Sequence, residues 1–100
     1  ESLFIIEGSG RYVFFDDWGK VTNVVNLNSP SGLNKCYCRV PKNTYHMLIV
    51  DTKTMLVKET TTGPFSKDDT VFPDWAPDIK LSKDALDFLK QVEKEIIELQ

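Results

Sequence analysis

Residues 36–51 read CYCRVPKNTYHMLIVD. Two strand-like runs, 35–40 and 45–50, flank the tight polar turn Pro41-Lys42-Asn43-Thr44. Proline presets the backbone for a turn. The stretch therefore predicts a β-hairpin, with His46, the chain's only histidine, just past its turn. Neutral imidazole is a common metal ligand and a poised acid or base. A lone histidine in a strand is more commonly a packed or hydrogen-bonded core residue, and spacing alone favours that reading. Strand alternation sends His46, Leu48 and Val50 to one face and Tyr45, Met47 and Ile49 to the other.

Upstream of the hairpin lie three further strand patterns. Residues 2–7 (SLFIIE) are apolar and rich in β-formers, and Gly8-Ser9-Gly10 reads as a turn. Residues 11–15 (RYVFF) form the second strand, and residues 16–20 (DDWGK) supply a hairpin turn with a glycine free to take positive φ. Residues 21–27 (VTNVVNL) are less apolar and fit an edge, and 28–32 (NSPSG) form a dense turn cluster. Downstream, Asp51-Thr52-Lys53 turns the chain into a sixth strand at 54–60. Short strands at this spacing predict an antiparallel barrel or sandwich.

Residues 61–80, TTGPFSKDDTVFPDWAPDIK, change character. Their aromatic and apolar side chains, Phe65, Val71, Phe72 and Trp75, predict an arm pinned across the outer face of the sheet. Residues 82–100 form an amphipathic helix with Ser82 as N-cap and Asp84 in the first turn. Its stripe is Leu86, Leu89, Val92, Ile96 and Leu99, widened by Ala85, Phe88 and Ile97. The stripe is long for so small a domain. Packing on its own sheet and packing on a partner chain are equally good readings.

One hundred residues, 41% of them hydrophobic, make one small domain with a modest core. No apolar run nears the ~20 residues that span a bilayer, so no membrane insertion is expected. The net charge is −3 and the basic residues are scattered, which argues against a nucleic-acid surface. Cys36 and Cys38 lie two apart in a strand, a poor geometry for a mutual disulfide, and no second Cys/His pair completes a zinc site. They read as thiols in a reducing compartment, hence a cytoplasmic location.

Three stretches carry a resemblance. Glu1 followed seven places later by Gly8 resembles the end of the first cupin motif, in which two histidines precede the glutamate. Pro41, Asn43 and His46 resemble the second motif, with asparagine, which tolerates the left-handed conformation that motif's turn requires, where glycine is usual. The arm GPFSKDDTVFPDWAP, together with ESLFIIEGSGRYVFFDDWGKV and RVPKNTYHMLIV, is similar to the WbuC-type cupin-fold metalloproteins of bacterial polysaccharide gene clusters. The likeness runs over residues 1–78 and does not extend to the helix.

The resemblance implies a mainly β fold, a small antiparallel cupin-type β-barrel of jelly-roll kind, over residues 1–80, with the C-terminal α-helix added at 82–100. It implies a divalent transition metal held by Glu1 and His46, with two histidines expected before Glu1. The chain starts without methionine and with a strand almost at once, so a missing upstream segment is expected, and with it an incomplete metal site in residues 1–100. Arg39 and Tyr37 are rim candidates for a ligand carboxylate or phosphate. The implied ligand is a sugar or nucleotide sugar of surface-polysaccharide (O-antigen) synthesis. A homodimer through a sheet edge or the helix fits both the family and the stripe. No catalytic residue follows. A metal-dependent cupin, a non-catalytic sugar-binding or sensing cupin, and a metal-free structural β-domain all remain open.

Overall fold

The computed structural model describes residues 1–30, 35–63, 70–78 and 82–99. The strands are β1 (Ser2–Glu7), β2 (Ser9–Phe15), β3 (Val21–Asn28), β4 (Tyr37–Arg39), β5 (Tyr45–Val50) and β6 (Leu56–Thr60), followed by the helix α1 (Ser82–Leu99). The fold is mainly β with a C-terminal helix, as the patterning predicts. β1 and β5 match their predicted spans, whereas β4 and β6 are shorter than expected. Ser31, Gly32, Phe65 and Gln100, each part of a predicted element, lie outside the described residues.

The strands form two antiparallel three-stranded sheets, ordered β4-β1-β6 and β3-β2-β5. Their inner faces meet around Leu3, Ile5, Tyr12, Phe14, Leu27, Cys38 and Val40, with Leu48, Met55 and Val57 packed against them. The outer face of β3-β2-β5 carries Val13, Phe15, Val21 and Ile49, which receive Val92 and Ile96 of α1. No closed barrel forms among the described residues. One flank is laced instead: the N–H of Asn28 donates to Lys35 O (2.9 Å) and that of Ile5 to Cys36 O (2.7 Å).

Two predicted connections are corrected. Residues 36–51 do not form a paired hairpin. β4 pairs with β1, with Leu3 opposite Cys38, and β5 pairs with β2, with Phe14 opposite His46. The turn at 41–44 therefore carries the chain from one sheet to the other. The reason lies in the side chains. β5 is apolar on both faces, Leu48 on one and Tyr45, Met47 and Ile49 on the other, and only the sheet between core and helix covers both. β4 turns Tyr37 and Arg39 to solvent and suits the uncovered sheet.

Gly8-Ser9-Gly10 is likewise no turn: Ser9 and Gly10 belong to β2, and Gly8 alone breaks the strand. Gly8 has φ of 91°, and a Cβ there would lie 2.7 Å from Thr54 O. Glycine lets the chain pass directly from β1 into β2 at a corner of the two sheets. The β2–β3 hairpin forms as predicted. Gly19 has φ of 91°, and Asp16 Oδ1 accepts the N–H groups of Trp18 and Lys20, each at 2.9 Å.

Trp75 pins the arm to the outer face of β3-β2-β5. Its ring lies 5.1 Å from Phe15, 5.5 Å from Tyr45 and 6.2 Å from Phe88, and Nε1–H donates to Asp17 O at 2.9 Å. Val71 and Phe72, expected to pack, are exposed by 66% and 81%, because α1 takes the rest of that face. The helix packs on its own sheet through Phe88, Leu89, Val92 and Ile96. Leu86, Ile97 and Leu99, counted in its apolar stripe, are exposed. Arg11 of β2 locks the helix in place, donating to Asp51 at 2.8 and 2.9 Å and to Glu93 at 2.7 and 2.6 Å. This pairing holds the Glu93 carboxyl below the usual carboxylate range. Among the described residues no helix is long and apolar enough to cross a membrane.

Candidate functional site

Glu1 and His46 are 45 positions apart in the chain, and the two sheets bring them together. The N–H of Val40 donates to Glu1 O at 2.8 Å, which ties the start of β1 to the end of β4. Pro41 follows at once, and the turn passes through Asn43, whose φ of 56° is left-handed as predicted. That turn delivers the first residues of β5. Phe14, opposite His46, faces the core, so His46 faces inward as well. Leu3 and Ile5 face the same way from β1.

His46 Nε2 lies 3.6 Å from Glu1 Oε1, and each side chain is 29% exposed. His46 Nδ1 lies 2.8 Å from Thr44 O. A carbonyl oxygen can only accept, so Nδ1 carries the hydrogen. In the neutral ring, Nε2 then turns its lone pair towards the Glu1 carboxylate. Two acceptors so placed repel each other unless a proton or a metal cation lies between them. Imidazoles that bind metals are commonly held in this way, by a carbonyl on the other ring nitrogen.

Two residues not singled out in the sequence complete the cluster. Tyr12 O–H donates to Glu1 Oε1 at 3.1 Å, and its ring meets the His46 ring edge-on at 5.4 Å. Burial, then the negative charge of Glu1, pushes the Tyr12 phenol above its ordinary range. Glu59 lies opposite Leu3 on β6, on the same face of the sheet as Glu1. Burial first, then Glu1, raises its carboxyl, while His46 acts the other way. Both residues had a signal in the period of two: a hydroxyl among Gly10, Tyr12 and Phe14, and an acid following Met55 and Val57.

The rim candidates stand elsewhere. Arg39 is opposite Ser2 and Tyr37 opposite Phe4, so both lie on the outer face of β4-β1-β6, away from Glu1 and Leu3. Arg39 lines an open surface depression with Pro41 and Lys42. Cys38 is buried in the core, where desolvation raises its thiol, and Cys36 is half-buried. Neither cysteine touches the cluster in any hydrogen bond to Glu1 or His46.

The carboxylate of Glu1 and the free Nε2 of His46 suit a divalent transition metal in donor type and in orientation. Among the described residues no three His, Cys, Asp or Glu side chains are grouped to hold a metal ion by themselves. Tight sites use three or four donors, and this pair supplies two. Comparison with models of protein families, with curated proteins and with solved structures finds no match to this chain.

Proposed function

We propose that the chain is the β-domain of a cupin-type metalloprotein, holding a divalent transition metal through Glu1 and His46. The reading rests on one observation: a carboxylate and an imidazole from opposite sheets face each other at 3.6 Å, with the imidazole proton committed to Thr44 O on the far side. An ion bound there would supply Lewis acidity towards a carbonyl or hydroxyl of the ligand. The protein's own part is orientation and shielding. Thr44 O sets the tautomer of His46, Val40 N–H anchors the backbone of Glu1, and Leu3 and Leu48 present an apolar wall beside them. The ligand class, a sugar or nucleotide sugar of surface-polysaccharide synthesis, comes from the resemblance of residues 1–21, 39–50 and 63–77 to the WbuC-type cupins.

Metal analysis of the full-length protein and its His46→Ala variant tests the assignment. The variant is expected to lose more affinity than the ~100-fold upper end seen for outer-sphere changes. Unchanged metal content in the variant overturns it. Incubating the metal-loaded protein with a panel of nucleotide sugars then separates the functional options: turnover marks an enzyme, and saturable binding without turnover marks a binding protein.

A further inference from the structure

Tyr12 is 4% exposed and lies in a core otherwise built of Leu, Ile, Val, Phe and Cys. Phenylalanine would fill the same space, and a hydroxyl buried there is unfavourable unless it is partnered. Its partner is Glu1 Oε1, the same oxygen that faces His46 Nε2. The ring that carries this hydroxyl also meets the imidazole in a T-shaped contact, 5.4 Å between centroids at an interplanar angle of 74°. One rigid side chain thus touches both groups, although they come from different sheets.

We infer that Tyr12 is a positioning residue of the Glu1–His46 site: its hydroxyl orients the carboxylate and its ring orients the imidazole, so that both donors address one point. The inference rests on the reading of Glu1 and His46 as metal donors. Tyr12 sits mid-strand in β2, with Leu48 of β5 opposite and Val25 of β3 on the other side, so its ring is held by the sheet itself. Groups that hold a ligating carboxylate or imidazole in place typically govern ~10–100-fold in metal affinity.

The test is a Zn²⁺ titration against a competing chelator on the full-length protein and its Tyr12→Phe, Tyr12→Leu and His46→Ala variants, with thermal unfolding of each apo protein. Tyr12→Phe is expected to weaken Zn²⁺ binding ~10–100-fold while the unfolding temperature of the apo protein stays near that of the parent. Tyr12→Leu, which loses the ring as well, is expected to weaken it further. The visible absorption of the Co²⁺-loaded protein is expected to shift in Tyr12→Phe, since the carboxylate would address the ion at a different angle. Tyr12→Phe affinity within twofold of the parent, with binding abolished in His46→Ala, overturns the positioning role and leaves the metal reading standing. A parent protein that takes up no Zn²⁺, or a His46→Ala variant that binds like the parent, overturns both.

Discussion

At Asn43 the chain holds φ of 56°, and both hydrogen bonds that set up the site adjoin this residue. Val40 N–H on Glu1 O precedes it, and Thr44 O on His46 Nδ1 follows it. A side chain that resists the left-handed region therefore strains the turn and the site together. Asn43→Val is expected to cost about 1–2 kcal/mol, since a β-branched residue pays the left-handed penalty in full. Asn43→Gly is expected to stay close to the parent, because glycine adopts positive φ freely. Urea unfolding midpoints at constant m-value check both, and an unshifted midpoint for Asn43→Val would mean that the turn relaxes into another conformation. The signal for this turn, proline two places before asparagine, was plain in the sequence. Its consequence was not, because the same turn serves a paired hairpin and a crossing between sheets.

The arm and the helix share the outer face of β3-β2-β5, and Trp75 is where they meet. Phe15 and Tyr45 lie beneath its ring, Phe88 of α1 lies beside it, and Gly19 leaves room for it, since a Cβ there would come 2.7 Å from the indole. Trp75→Ala is expected to cost about 2–4 kcal/mol, somewhat below a fully buried tryptophan because the ring is only half-covered. Chemical unfolding followed by circular dichroism measures it. A change under ~0.5 kcal/mol would show that the arm lies on the sheet without supporting it. Val71 and Phe72 illustrate how far composition reaches at this scale. Their hydrophobicity predicted packing, yet α1 had already covered the surface they would have used. Leu86 and Ile97 are the same case on the helix, apolar but set to the side of the line through Val92 and Ile96.

Across the whole molecule, Arg11 ties the residue just after β5 to α1, taking Asp51 and Glu93 in one guanidinium. Because Arg11 lowers the Glu93 carboxyl in the folded state, its stabilisation is complete above the unfolded value near ~4.3 and fades as pH falls through the lower folded value. The stability gap between the parent and Glu93→Gln is therefore expected to be constant from neutral pH to about 5 and to close below about 4. Urea unfolding across that range measures it, with Asp51 still facing Arg11 in both proteins. A gap that persists at pH ~2 would place the role of Glu93 in packing rather than charge. By itself the sequence determined the strand and helix segments, the hairpin at Asp16–Lys20, the turn at Asn43 and the two faces of β5, all of which follow from local backbone preference and side-chain period, although Val50, on the face of His46 and Leu48, ends 49% exposed. Beyond that hairpin, only the tertiary structure decided which strands pair. Edge hydrogen bonds are chemically alike from strand to strand, so the choice depends on which faces can be buried at once. That choice separated β4 from β5, turned Arg39 and Tyr37 outward, and brought Tyr12 and Glu59 to the Glu1–His46 pair.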